Sequence, residues 1–214
     1  MIVTLSQSGR ENEMDQTNDV IAYELNGHCY LNITNQCTLR CSFCPKFNKV
    51  WNVQNYHLKL STQPSTLQVL NAIGDPSTYD EIVFCGLGEP TMNLSVLLEV
   101  AQSIHPYTRV RLNTDGLGNL VHGMDITPEL SECVDALSIS LNAQSEFIYN
   151  RHCRPPLSGT YPALLDFIDC AKNVIDDITL TAIDGLLGVD INACRAIAEE
   201  KQVKFRRRVL DQVP

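Results

Sequence analysis

The chain has 214 residues, of which 44% are hydrophobic, and this is enough for one full-sized domain with a hydrophobic core. Its formal net charge of −9 argues against a protein whose main function is to bind nucleic acid phosphates. No apolar run approaches the roughly 18 residues that a membrane-spanning helix needs, and the first residues do not have the pattern of a signal peptide. We therefore expect a cytoplasmic protein.

Residues 1–18 are polar and show no periodic pattern, which predicts a disordered tail before a single domain over residues 19–214. Residues 20–34 are typical of a β-hairpin, because Asn26 and Gly27 form the dipeptide that a type I′ turn prefers. The second arm of this hairpin leads directly into a loop with three cysteines.

Cys37, Cys41 and Cys44 have C-x3-C-x2-C spacing, which lets one short loop present three sulfurs to a single metal centre. A zinc ribbon would need paired C-x2-C knuckles and a fourth ligand. Three thiolates suit an iron–sulfur cube in which one iron has no protein ligand. Taken alone, however, the motif also fits a redox centre or a structural metal site.

The chain has six further cysteines, scattered singly through predicted helices and strands, where they are interpreted as small buried hydrophobic residues of a reducing compartment. They are Cys29, Cys85, Cys133, Cys153, Cys170 and Cys194. Since no second cluster motif is visible, we expect one cluster.

After a loop-like segment at residues 45–64, predicted helices and strands alternate. The strands are expected at residues 81–85, 110–114, 136–142, 178–183 and 204–210. The helices are expected at residues 66–73, 94–101, 128–133, 161–173 and 191–198. Together with the second hairpin arm this gives six β units with right-handed parallel connections. Six units are too few for a closed eight-stranded barrel, so we expect an α/β fold, a partial (βα)6 TIM-like barrel or an open twisted sheet, preceded by the hairpin arm.

Polar and glycine-rich segments follow several of these strands. They are the cysteine loop and residues 86–90, 113–116 and 140–142. Both candidate folds place their chemistry at the carboxyl ends of the strands, so these segments are predicted to form one site.

The cysteine loop, with Phe43 just before its last cysteine, resembles the signature of the radical S-adenosylmethionine (SAM) superfamily. The segment Gly86-Leu87-Gly88-Glu89-Pro90 resembles the glycine-glycine-glutamate-proline motif of that family, although Leu87 stands between the two glycines. The resemblance extends over roughly residues 20–210.

The resemblance implies that Cys37, Cys41 and Cys44 bind a [4Fe–4S] cluster whose open iron binds SAM. It also implies that Phe43 packs against the adenine. The other implied cofactor contacts are short polar or glycine residues at strand ends, placed against the methionine, ribose and carboxylate groups. They are Gly86, Gly88, Glu89, Asn113, Asp115, Ser140 and Asn142. Further adenine contacts are expected in residues 183–189, where the family's glycine pattern is only faintly matched.

Several segments resemble, more narrowly, the compact TatD-associated radical SAM proteins. They are residues 30–35, 83–91, 111–120, 140–143 and 149–155. This similarity implies a functional link to a TatD-type hydrolase. The chain has Asp115-Gly116 where that subfamily more often has Asn-Gly, and since both tolerate a turn, we expect the same geometry with an added charge.

The implied activity is reductive cleavage of SAM to a 5′-deoxyadenosyl radical that abstracts hydrogen from an unidentified small-molecule substrate, for which the TatD association suggests a nucleotide-like compound. The electron donor would be a flavodoxin or a ferredoxin. The alternatives are an activase that installs a glycyl radical on a partner protein and a non-enzymatic [4Fe–4S] electron carrier or sensor, which would not need the Gly-Glu-Pro loop.

Two basic segments remain. Residues 151–154 (Arg151, His152, Cys153 and Arg154) either bind an anionic group at the mouth of the site or form a solvated turn. His152 is a candidate proton donor, although a lone exposed histidine more often has no role. Residues 206–208 are all arginine, and a solvated terminus is preferred over a phosphate site. Strand alternation places Arg206 and Arg208 on one face and Arg207 on the other.

Overall fold

A computed structural model describes residues 19–210, so the predicted tail at residues 1–18 lies outside the described residues. The strands are β1 (Ala22–Leu25), β2 (His28–Leu31), β3 (Asn52–Val53), β4 (Tyr56–His57), β5 (Glu81–Phe84), β6 (Arg109–Thr114), β7 (Ala136–Ser140), β8 (Asp177–Asp184) and β9 (Lys204–Val209). The α-helices are α1 (Thr66–Ile73), α2 (Leu94–Ile104), α3 (Gly118–His122), α4 (Thr127–Ser131), α5 (Glu146–Cys153), α6 (Thr160–Ala171) and α7 (Ile191–Lys201).

One seven-stranded sheet organises the molecule, in the order β1-β2-β5-β6-β7-β8-β9. The hairpin strand β1 is antiparallel to β2, and all of the following pairs are parallel. The six parallel strands are adjacent in chain order, with helices in each connection. This confirms the predicted α/β fold with six β units after a hairpin arm, and the sheet order is that of a barrel left open between its two edge strands.

Local sequence explains where several elements begin. Asn26 and Gly27 have φ values of 54° and 83°, as a type I′ turn requires. Ser65 begins α1 with a capping box, in which its side chain accepts from the Gln68 backbone N–H and the Gln68 side chain accepts in return. Asp190 begins α7 by accepting hydrogen bonds from two backbone N–H groups of the first turn.

The two faces of the sheet differ in polarity. In β6, Val110, Leu112 and Thr114 are buried, whereas Arg111 and Asn113 on the other face are only partly buried. The helices pack on the face that carries Val110, Leu112 and Thr114, and the main hydrophobic core lies between them and the sheet. Because strand residues alternate between faces, the second face is left to line a cavity.

The connections contain elements that the sequence pattern did not predict. The helices α3 and α5 lie in segments interpreted as loops, and residues 45–64 include a short 3-10 helix, Pro45–Asn48, and the small β3–β4 hairpin. Within residues 19–210, no helix combines the length and the apolar character needed to cross a membrane.

Candidate functional site

The three cysteines of the loop after β2 face a cavity of about 500 Å³ at the carboxyl ends of the parallel strands. None of them forms a disulfide, and each is partly buried. The loop is fixed to the end of α5, because the backbone N–H groups of Arg40 and Ser42 donate to the carbonyl oxygens of Cys153 and His152, at 2.9 and 2.8 Å.

The structure brings the predicted cluster and motif residues to this one cavity, whereas of the expected adenine-contact segment, residues 183–189, only Ile183 lines it. Its lining includes Cys37, Cys41, Phe43, Cys44, Gly86, Gly88, Glu89, Asn113, Asp115, Ser140 and Asn142. These residues come from the cysteine loop and from the ends of β5, β6 and β7, which are adjacent in the sheet. Parallel pairing therefore gathers segments that lie up to a hundred residues apart in the chain.

The glycines after β5 are required by packing between loops. A Cβ at Gly88 would overlap the carbonyl oxygen of Thr34 and lie 2.7 Å from that of Gln36, just before the cysteine loop. The next residue, Glu89, donates its backbone N–H to the same Gln36 oxygen at 2.7 Å. The glycine-rich loop and the cysteine loop therefore hold each other at backbone level.

Leu87, which departs from the family motif, belongs to a second small hydrophobic cluster. It packs there with Tyr23, Leu25 and Leu58, and Trp51 and Tyr56 lie against them. These two aromatic residues are thus ordinary packing between the hairpin and residues 45–64. Leu87 ties the glycine-rich loop to the same cluster.

The Glu89 carboxylate is buried and is bonded to the chain itself. One oxygen accepts from the Thr91 hydroxyl and backbone N–H and from the Thr114 hydroxyl, and the other accepts from the backbone N–H of Asp115 at 2.7 Å. The Asp115 carboxylate in turn accepts from the Thr38 hydroxyl, next to the first cluster cysteine. One buried network therefore links the ends of β2, β5 and β6.

Burial dominates the electrostatics of this network. It raises the pKa of Glu89 to about 8, with the nearby Asp115 carboxylate adding to the rise and the hydrogen-bond donors opposing it. Burial likewise raises the pKa of Asp115. The pKa of the Cys37 thiol is raised by burial and by Asp115 and Glu89, so a bound cation is needed to hold it as a thiolate.

Two side-chain oxygens in the cavity wall have no partner. Asn113 Oδ1 and Asn142 Oδ1 are buried and accept no hydrogen bond within the described part of the chain. Asn142 has a backbone φ of 60°. Its side-chain Nδ2 lies 3.7 Å from the Cys153 sulfur, so its Oδ1 points away from that sulfur. Since an unsatisfied buried acceptor is costly, both oxygens are suited to donors of a bound ligand.

The thiols fit an iron–sulfur cluster better than a single ion. Within residues 19–210, no set of three or more Cys, His, Asp and Glu side chains converges closely enough to hold one metal ion. A zinc ion keeps its sulfur ligands about 2.3 Å from one point. A four-iron cluster instead binds cysteines at separate corners, which suits three thiols spread along one loop.

Sequence reasoning missed a set of basic and aromatic side chains in the same cavity. They are Tyr23, Tyr30, Arg111, Arg206 and Arg208. Arg206 and Arg208 line the cavity, although Arg206 is exposed to solvent and Arg208 is half-buried, whereas Arg207 is exposed outside it. The predicted alternation is confirmed, because Arg207 pairs with Asp184 on the other side of the strand. That alternation was the signal that could have placed Arg206 and Arg208 in the cavity.

Residues 151–154 do not line the cavity, and Arg151 and Arg154 are exposed, in keeping with the solvated alternative. They close α5, with His152 buried and its Nε2 lying 2.9 Å from the Leu187 carbonyl oxygen, outside the cavity where a proton donor would be needed. Cys153 is fully buried, and a hydrogen bond to its thiol contributes to the raised pKa of Cys41. The end of α5 therefore supports the cysteine loop through the backbone hydrogen bonds to Arg40 and Ser42.

Comparison with known proteins now identifies the family. The model of the radical SAM superfamily matches residues 31–200. The chain belongs to the radical SAM superfamily. The cofactors of this superfamily, and of this chain, are a [4Fe–4S] cluster and S-adenosylmethionine.

The individual proteins that match this chain have low sequence identity to it. A dual-specificity RNA methyltransferase, RlmN, from Buchnera aphidicola subsp. Schizaphis graminum is 30% identical over 129 residues, which are 53% of this chain and 32% of that protein. The structure of native anSMEcpe with bound AdoMet superimposes with a TM-score of 0.63 at 14% identity, over 85% of this chain and 51% of the other. The structure of TYW1 with a lysine-pyruvate adduct gives 0.60 at 16% identity, over 87% and 66%.

These structural likenesses show the shared fold. The chain spans about one third of the methyltransferase and between about one half and two thirds of the two solved structures. Radical SAM enzymes need a reductant and a substrate, and neither is identified by the relatives.

Proposed function

We propose that the chain is a radical SAM enzyme whose cluster is held by Cys37, Cys41 and Cys44 and whose SAM lies in the cavity lined by β5, β6 and β7. One observation carries the proposal: three unpaired thiols and two orphaned acceptor oxygens line a single cavity. With SAM bound, a reduced cluster would supply one electron for cleavage of the sulfonium, which gives methionine and a 5′-deoxyadenosyl radical able to abstract a hydrogen atom from the substrate.

The chain's own residues would bind and orient the cofactor. Asn113 and Asn142 offer free acceptors to the ribose hydroxyls or the ammonium group, and Ser140 lines the same cavity. Phe43 offers its ring to the adenine. These roles follow from the unsatisfied acceptors and from the family resemblance of the motifs.

Glu89 and Asp115 would act mainly by holding loops in place. Both carboxylates are engaged by hydroxyl and backbone donors of the chain, so they position the cysteine loop against the ends of β5 and β6. Because burial raises the pKa of both carboxyl groups, a cationic group of SAM bound nearby would favour their ionised form. Gly86 and Gly88 permit the close approach of the loops.

The substrate is proposed to be a small molecule, in keeping with the size of the cavity. We also propose that the chain belongs with the compact TatD-associated proteins and has a functional link to a TatD-type hydrolase. Support for this comes from the motif segments alone.

The test is anaerobic reconstitution with iron and sulfide, followed by dithionite and SAM, with 5′-deoxyadenosine measured by chromatography. We expect 5′-deoxyadenosine from the wild-type chain and background levels from Cys41→Ala. Cys170→Ala is the matched control, because this cysteine is also partly buried but lies away from the cavity, so it should keep its iron and its activity.

The opposite result would contradict the enzyme proposal. If the wild-type chain takes up a full cluster and yet forms no more 5′-deoxyadenosine than Cys41→Ala, the enzyme proposal fails. The non-enzymatic electron carrier would then be the better interpretation.

A further inference from the structure

We propose that the arginine wall, defined as Arg111, Arg206 and Arg208, binds an anionic group of the substrate, a carboxylate or a phosphate. This inference rests on the proposed function, since it assigns a substrate class to the same cavity.

The edge strand β9 separates its three consecutive arginines by face. Arg207 pairs with Asp184, as a solvated strand end would. Arg206 and Arg208 line the cavity, and within the described residues neither has a carboxylate partner. Arg206 instead reaches across β8 and donates to the Ser138 hydroxyl at 3.4 Å. Two guanidinium groups are therefore held on the cavity side without a counter-ion.

Arg111 joins them from β6. Its Nη2 pairs with Glu81 at 2.6 Å, which fixes the side chain and offsets its charge. Its Nε, like the Nε of Arg208, is buried without a hydrogen-bond acceptor in the described chain. An unsatisfied buried donor is costly, and an oxyanion between these side chains would accept from both.

Acidic and basic groups are segregated within the cavity. The buried carboxyl groups of Glu89 and Asp115 lie with the cysteine loop, whereas the arginines lie on the strands away from it. The pKa of Arg206 is lowered by burial and by the nearby charges of Arg111 and Arg208, so the three cations repel one another. A bound anion would relieve this repulsion.

The overall composition does not account for this wall. The chain carries a net charge of −9, with 16 basic and 25 acidic residues, so uncompensated arginines are not a by-product of a basic protein. The planar guanidinium fork binds carboxylate and phosphate groups in a bidentate manner, which positions the ligand as well as attracting it. The two ends of the cavity thus suit a cationic cofactor and an anionic substrate.

The experiment compares Arg206→Gln/Arg208→Gln with Arg207→Gln in the anaerobically reconstituted protein. Isothermal titration measures binding of inorganic phosphate and of malonate, with sodium chloride at matched ionic strength as the blank. Arg207→Gln is the matched control, because it removes a charge from the same strand on the opposite face. Cluster absorbance and circular dichroism verify that each variant is folded, and the two single variants are used if the double variant is not.

We expect saturable binding of at least one anion, weakened at least about tenfold in Arg206→Gln/Arg208→Gln and within about twofold of wild type in Arg207→Gln. Stronger binding of phosphate would indicate a phosphorylated substrate, and stronger binding of malonate a carboxylic acid.

Absence of saturable binding to the wild-type protein, or an equal loss in Arg207→Gln, would overturn the proposal. Its failure is distinguishable from that of the proposed function, because anion binding is measured without SAM cleavage. If the chain cleaves SAM but binds neither anion, only the proposal for the arginine wall fails, and the proposed function stands.

Discussion

Two walls of the same cavity are built in opposite ways. On the cofactor wall, formed by the cysteine loop and the ends of β5 and β6, loops interlock through Gly88, and buried hydrogen bonds join Thr38 to Asp115 and Asp115 to Glu89. On the arginine wall, β9 is an edge strand that pairs only with β8. Its cavity-facing side chains are partly open to solvent.

The difference indicates that one wall holds the cofactor and the other admits the substrate. A cluster and its cofactor need loops held in one arrangement, and an interlocked network supplies this because the Glu89 and Asp115 carboxylates both have partners within it. A substrate must enter and leave, and an open edge with unpaired charged groups permits this. We therefore expect the cofactor wall to be sensitive to small changes and the arginine wall to tolerate them structurally.

The largest expected effect is that of Gly88→Ala on the cofactor wall. The added Cβ would overlap the Thr34 carbonyl oxygen and separate the two loops, so we expect a loss of about 3 kcal/mol or more in the free energy of unfolding and a loss of most bound iron. Urea unfolding and iron content measure both effects.

Gly123→Ala is the control for this change. A Cβ at Gly123 meets open space, and only its left-handed backbone, with φ of 66°, opposes alanine, which should cost about 1–2 kcal/mol and leave the iron content unchanged. Equal effects of the two substitutions would show that the loops do not interlock as described.

A smaller effect is expected from Thr38→Val, which removes a hydroxyl donor from the buried Asp115 carboxylate with little change of shape. We expect a loss of about 1–3 kcal/mol in unfolding free energy, because the buried acceptor loses a partner. Thr66→Val removes a comparable bond to Glu99 at the surface and should cost less than about 0.5 kcal/mol. The comparison fails if the surface variant is as destabilised as the buried one.

The smallest effect concerns the dynamics of the arginine wall. Backbone amides of β9 should exchange with deuterium at least about tenfold faster than those of β8, because β9 has a neighbour on one side only and β8 has one on each side. Mass spectrometry of peptides from the two strands tests this. Equal protection of both strands would mean that the edge is as firmly held as the interior.

Much of the fold follows from local sequence patterns. The alternation of apolar strands and amphipathic helices predicted six parallel units, and Asn26-Gly27, Ser65 and Asp190 marked a turn and two helix starts through their own hydrogen-bonding and backbone preferences. The helices α3 and α5 were missed, because α3 has only five residues and α5 has a weakly apolar face.

The candidate site was predictable where its residues belong to compact motifs. The cysteine spacing and the Gly-Glu-Pro loop each lie within a few residues, so the sequence alone indicated a three-thiol centre and its neighbouring loop. The partners of Glu89 could not be predicted in this way, because Thr114 and Asp115 come from another strand and meet it only through the sheet.

The sequence by itself therefore determined the family, the six-unit sheet and the three thiols, since each depends on residues close together in the chain. The tertiary structure alone decided that Cys153 and His152 support the cysteine loop and that Arg111, Arg206 and Arg208 share one wall. Strand alternation assigns a side chain to a face, but only the curvature and order of the sheet decide which strands place their polar faces around the same space.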